Sequence, residues 1–205
     1  MDTASEDEER LLNLLGALSV ALADRIEAAT QEVVDESATA VAALATVAQF
    51  PGTSIEALRR SLGLSHSAAV RVVDRLAARG LVERRPGVRG PAVALVATAA
   101  GAKLATRVLT IRRDVVRVVA GDALTEHLEP ALSAMLARLT IDPHTGDRVC
   151  RLCDVGACPQ RRCPVAERQR ALGAVASTAV ALPTPSTVSV ATQRAGTPRV
   201  PGEPG

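Results

Sequence analysis

The stretch TSIEALRRSLGLSHSAAVRVVDRLAARGLVERR, Thr53 to Arg85, decides the fold of this chain. Thr53 and Glu56 have the spacing of a capping box, and Ile55, Leu58 and Leu62 form the inner face of a short helix. Gly63-Leu64 makes a turn. Ser65 is a natural N-cap for the next helix, and Gly80 can adopt the left-handed conformation that ends it. Two short helices joined by a glycine-containing turn are the pattern of a helix-turn-helix. Val82 to Arg85 and Pro91 to Val96 are brief strand-like runs around the tip Pro86-Gly87-Val88-Arg89-Gly90. They read as a β-hairpin, which makes residues 53–97 a winged helix.

In the second of these helices Ala69, Val72, Val73 and Leu76 share one face and should pack inward. Ser67, Val70, Arg71 and Asp74 then face outward, flanked by His66 and Arg75. The N-terminal half of a recognition helix reads base edges, with arginine for guanine and apolar groups for thymine methyls. Ser65, His66, Ser67, Val70 and Arg71 are placed for that task, and Arg75, Arg79, Arg84 and Arg85 for phosphates. Charge supports this: from Arg59 to Arg113 there are twelve Lys or Arg against two acids, Asp74 and Glu83. A solvated helix face would interleave more acids, so double-stranded DNA is the expected partner.

Outward from the winged helix the chain reads as helical. Leu11, Leu14, Leu15, Leu18, Leu22 and Ile26 recur at three- and four-residue steps, predicting a first helix over about 10–30 with one buried stripe. A second runs from about Ser37 to Gln49 and stops before Pro51-Gly52. Thr98 caps a long helix in which Leu104, Val108, Ile111, Val115 and Val118 follow a heptad seam, a period suited to a partner helix. A further helix from about Thr125 to Thr140 carries Leu128, Leu132, Met135, Leu136 and Leu139. Residues 10–30 and 98–140 are therefore the expected homodimer elements, within a domain spanning 10–140. The acidic segment 1–9 and the Pro-, Thr- and Ser-rich tail 178–205 are expected to be disordered.

Composition narrows the function. The 205 residues suit one domain of about 150 residues with appendages. Phe50 is the one aromatic residue, which removes the usual stacking platforms for single strands, sugars and flavin rings. The acidic start has no signal-peptide pattern and the Ala-rich run from Ala171 to Leu182 is too short to span a bilayer, so a cytoplasmic protein without a membrane segment is expected. Gly63-x-Ser65 lacks the closing glycine and preceding strand of a nucleophile elbow, and no phosphate-binding Gly-rich loop occurs. A non-enzyme is expected.

The run Ser54 to Leu58, then Gly63 to Leu76, then Gly80-Leu81-Val82-Glu83-Arg84-Arg85 closely resembles the core of the MarR (multiple antibiotic resistance regulator) family, over roughly Leu11 to Leu139. The resemblance implies a mainly α fold with a small β wing: a winged helix-turn-helix plus a helical dimerisation region. It also implies a dimeric bacterial regulator, in the first place a repressor, that binds a palindrome and can answer a small-molecule or redox effector. It puts Arg89 in the minor groove. The family's usual Asp-x-Arg pair in the wing is incomplete here, because Arg89 has no preceding Asp.

All four cysteines lie between Cys150 and Cys163, in the spacing C-x2-C-x4-C-x4-C: Cys150, Cys153, Cys158 and Cys163. The segment looks like a C-terminal extension found on a subset of MarR-like regulators, here residues 148–166. Four thiolates in so short a loop can close a tetrahedral zinc site. Cys-Pro pairs also end the ligand run of some iron-sulfur proteins, so an iron-sulfur cluster is the alternative cofactor, followed by a metal-free thiol switch. Haem ligation fits less well. Arg148, Arg151, Arg161 and Arg162 would stabilise thiolates in each case. Because the cysteines follow the last dimer helix, the expected lever is on half-site spacing. Two rivals from other classes are a thiol-disulfide oxidoreductase using Cys150-Cys153 and a zinc-knuckle RNA-binding protein.

Overall fold

Serine and threonine side chains start the helices of the winged helix. In the computed structural model, which describes residues 3–87, 93–158 and 160–180, Ser54 caps α3 (Ile55–Leu62) by accepting from the Ala57 amide, 3.1 Å away. Ser65 caps α4 (His66–Ala78) through the Ala68 amide at 3.2 Å. The cap of α3 is thus one residue later than the capping-box spacing predicts. Thr53 instead donates its hydroxyl to the Phe50 carbonyl, and Glu56 pairs with arginines of its own helix. Gly63 and Gly80 both take positive φ, +66° and +67°, as the two turns require.

Preceding them are α1 (Thr3–Gln31), α2 (Ala38–Gln49) and the short β1 (Thr53–Ser54); following them come β2 (Val82–Pro86), β3 (Val93–Ala97) and α5 (Ala99–Ala120). The wing strands pair antiparallel from Val82↔Ala97 to Pro86↔Val93, and β1 adds to the other edge of β3. This gives a three-stranded sheet in the order β1-β3-β2. Leu44 and Val47 of α2, Leu58 of α3, Val73 and Leu76 of α4 and Leu95 of β3 meet in one core, closed by Ala105 of α5. The fold is the mainly α winged helix with a small β wing that the sequence predicts.

Thr98 donates its amide to the Leu81 carbonyl and its hydroxyl to the Gly80 carbonyl, while accepting from the Gly101 amide as the cap of α5. A Cβ on Gly101 would lie 2.0 Å from the Leu81 oxygen. The long helix is therefore seated directly on the turn that ends α4.

The remaining elements are α6 (Leu128–Leu139), α7 (Pro143–Val149) and α8 (Pro164–Val180). Several expectations are corrected here. The acidic N-terminus is helical from Thr3, because α1 continues through it. The seam of α5 is not free along its length: Val108 is buried with Val34 and Val41, and Leu104 packs on the main core. The stripe of α1 is half-buried at Leu22 and Ile26; Leu11, Leu14, Leu15 and Leu18 are exposed in the single chain. Helix α8 reaches Val180, past the predicted start of the tail, whose later part lies outside the described residues, as does Arg89. No helix among the described residues is long and apolar enough to cross a membrane.

Candidate nucleic-acid interface and cysteine cluster

Helix α4 buries Ala69, Val73 and Leu76 and leaves the opposite face to solvent. His66, Ser67 and Arg71 are exposed and Val70 is half-buried, as the helical period requires. The Ser65 hydroxyl is occupied as the cap and lies 3.3 Å from that of Ser67. Among the described residues Arg71 makes no ion pair, whereas its neighbours do. The Arg84 guanidinium sits 2.6 Å from Asp74, and Arg85 sits 2.9 Å from Glu83.

Arg75 and Arg79 are held from behind. Glu36, in the loop between α1 and α2, keeps its side chain 1% exposed and stands 2.8 Å from Arg75 Nε and 2.9 Å from an Arg79 nitrogen. These contacts are charge contacts without hydrogen-bond alignment, since neither Glu36 oxygen has a geometrically satisfied donor. Arg79 also donates to the Asp35 carbonyl. The four arginines expected to contact phosphates are thus each paired with a carboxylate in the single chain. The excess of base also weakens at its edge, because Glu56, just outside the counted window, binds both Arg59 (2.7 Å) and Arg60 (3.0 Å). The hydrogen bond from Arg59 holds the Glu56 carboxyl down at about 2.

Helix α7 is an element the sequence reading passed over. Asp142 caps it through the Thr145 amide at 2.8 Å, with Pro143 in the first turn, a legible start signal. The Thr145 hydroxyl and amide together hold the Asp142 carboxyl below its ordinary range. Cys150 is the C-cap of α7, Cys153 and Cys158 lie in the following loop, and Cys163 is buried just before α8. All four thiols line one cavity. The hydrogen bond from Cys150, with help from Arg112 and Arg151, lowers the Cys153 thiol to about 6 and raises that of Cys150. Burial raises that of Cys158. No disulfide is formed, and among the described residues no three His, Cys, Asp or Glu side chains form a ready-made metal site.

The cluster lies between two parts of the fold: on one side Cys153 and Cys158 share a cavity with Leu109, Arg112 and Val116 of α5, one of the expected dimer helices. On the other side all four cysteines face a cavity of about 260 Å³ whose far wall is Thr46 and Phe50 of the α2 end, Thr53, and Ala57 and Ser61 of α3. A further cavity of about 250 Å³ lies between α1, α2 and α5, with Glu36, Arg112 and Arg151 among apolar side chains. Glu36 had no signal in the sequence, because its partners are 39 and 43 positions away.

Residues 37–90 match the sequence model of the MarR family. No curated protein matches the chain. Among solved structures the chain is similar to the YusO protein of Bacillus subtilis, with 17% identity over 67% of this chain and 97% of that one and a TM-score of 0.54. It is similar to the multiple antibiotic-resistance repressor of Listeria monocytogenes 4b F2365, with 20% identity, 65% and 92% coverage and a TM-score of 0.50. CouR from Rhodococcus jostii RHA1, solved bound to p-coumaroyl-CoA, has 18% identity, 60% and 86% coverage and a TM-score of 0.50. At these identities the likeness is one of fold. Residues 37–90 thus carry the MarR sequence pattern, within a chain that has the winged-helix fold of MarR structures.

Proposed function

We propose that the protein is a transcriptional regulator, a repressor, that binds a pseudo-palindromic DNA duplex as a homodimer. The observation that carries this is the outward face of α4, where Arg71 stands exposed and unpaired among the described residues, one turn after Ser67 and one turn before Asp74, which pairs with Arg84 of the wing strand. In this arrangement Arg71 reads a base edge, and Arg75 and Arg79 are aimed by Glu36. Phosphates at Arg84 and Arg85 compete with Asp74 and Glu83, both on the surface. Arg89 is the minor-groove contact that the family resemblance implies. The homodimer is supported by apolar side chains left in water by one chain: Leu11, Leu15 and Leu18 of α1, and Leu132, Met135 and Leu139 of α6. Selection of duplexes from a random pool by the purified protein tests the reading. Recovery of a two-fold symmetric site supports it, and recovery of no preferred duplex overturns it.

The four cysteines hold one zinc ion in this reading. Tetrahedral Zn–S bonds of about 2.3 Å place the sulfurs about 3.8 Å apart, close to mutual contact. The convergence of Cys150, Cys153, Cys158 and Cys163 on one cavity supports a shared metal, and their short spacing in sequence favours zinc over an iron-sulfur core. Among the described residues no such set is preformed, so binding would draw the four thiols together. Zinc would supply closure of the loop and a thiolate set that oxidants can open. Elemental analysis of protein prepared without oxygen should find one colourless zinc per chain; a brown protein containing iron and sulfide would establish the alternative. The oxidoreductase reading is disfavoured by the position of Cys150 at the C-terminal end of α7, because such pairs are activated at helix starts.

A further inference from the structure

We propose that the cysteine loop braces the helix-turn-helix of its own chain, so that a thiophilic divalent cation held by the four thiols fixes the seat of α3 and strengthens DNA binding. This rests on the cation-binding reading above. Helix α3 has eight residues and buries Leu58 and Ser61, so it depends on its neighbours for stability. Helices α2 and α4 flank it on the core side, and α7 packs against it from outside.

Helix α7 is in turn fixed from two directions. Gly146 lets α8 approach so closely that a Cβ there would stand 2.5 Å from Gln169. Gln169 donates to Asp147 at 2.9 Å and to the Pro143 carbonyl. Toward the winged helix, the Arg148 guanidinium lies over the turn between α3 and α4, 3.3 Å from where a Cβ of Gly63 would be. The loop itself is tied to the end of α2, with the Val155 amide donating to Gln49 Oε1 at 2.8 Å. The link between these anchors is the cysteine loop.

Packing supports that loop at few points, chiefly where Leu152 meets Val34, Val41 and Val108. Of the fourteen residues from Cys150 to Cys163, only Cys163 is buried among those whose burial is described. The cavity beneath the loop leaves its inner side incompletely packed against α3. Fixing so many residues costs on the order of 1 kcal/mol each in backbone entropy, and one half-buried leucine offsets only part of that. Four metal–sulfur bonds can offset the rest, so the order of the loop follows the cation. When the loop orders, Arg148 and Val155 are positioned together, and α3 gains its outer support. DNA binding requires α3 and α4 to hold a fixed angle, so the cation acts on affinity through the seat of α3 within one chain.

The test is hydrogen exchange on the full chain, zinc-free under reducing conditions and with one equivalent of zinc, in wild type and in Gln49→Ala and Arg148→Ala. Zinc should slow exchange of the α3 amides by roughly tenfold or more in wild type, as local opening is suppressed. The two variants should bind zinc stoichiometrically yet show a smaller effect on α3. Zinc should also tighten binding to the selected duplex by roughly tenfold in wild type. Zinc binding with protection confined to residues 150–163 overturns the proposal, as does protection of α3 with unchanged DNA affinity. Absence of zinc binding overturns it together with the cation-binding reading, and metal content distinguishes that case. Failure to select any duplex is a failure of the regulator reading and leaves the exchange result to decide the brace.

Discussion

Glu36→Gln removes one charge from behind the recognition helix while keeping the side chain's size. The Glu36 carboxylate is almost wholly buried, and both of its partners are Arg side chains of α4 or its cap, at 2.8 and 2.9 Å. Removing one member of a fully buried pair costs about 3 to 5 kcal/mol, because a stranded charge remains. Here the arginine side chains are 57% and 43% exposed and can turn to water, which discounts the loss. Burying a neutral amide instead of a carboxylate returns part of the remainder. The net expectation is a destabilisation of about 2 kcal/mol, or roughly a 1 M fall in the urea midpoint at unchanged m-value. Arg75→Ala in both backgrounds supplies the control: the two changes should be coupled by at least about 0.5 kcal/mol. A midpoint within error of wild type, or strict additivity with Arg75→Ala, would show that Glu36 does not hold α4.

Gly101→Ala should destabilise by about 2 kcal/mol or more in urea, because the collision with the Leu81 carbonyl outweighs the helix-propensity gain of about 1 kcal/mol. Gly173→Ala, where the added carbon meets nothing within 4 Å, should instead be neutral or stabilising; equal effects would refute the close seat of α5. Sedimentation at micromolar concentration should give twice the 21.2 kDa chain mass, and a folded monomer would refute the use of the α1 and α6 stripes. Cys150→Ser and Cys158→Ser should each abolish zinc binding and weaken DNA binding with little effect on dimerisation; wild-type zinc content in both would exclude them as ligands. Zinc affinity should fall as pH drops, since binding displaces thiol protons, and competition with a chelator across pH checks the sign.

The winged helix was legible because its signals are local. Ser65, Gly63, Gly80 and Thr98 each act on backbone within a few residues, and the structure uses all four as caps or turns. Helix α7 carried an equally local signal in Asp142-Pro143 that was overlooked beside the cysteines. Pairings between distant segments were not legible. Nothing near Glu36 announces Arg75 and Arg79, and nothing near Asp74 announces Arg84, so a count of charges overstated the free base. The heptad seam was real as a period, but a period does not say which helix covers it; Leu104 and Val108 are covered within the chain and Val118 is not. For the same reason the cysteine spacing carried a chemistry without a location, and the docking of that loop beside α3 emerged only in three dimensions.

The central claim is that α4 reads DNA sequence through Arg71. Its most direct measurement is the affinity of wild type and Arg71→Ala for the selected duplex and for a scrambled duplex at one salt concentration. The account predicts a loss of about 1 to 3 kcal/mol on the selected duplex and little change on the scrambled one, so that the specificity ratio collapses. Equal losses on both duplexes would make Arg71 a phosphate contact, and no loss on either would contradict the assignment of α4 as the reading helix.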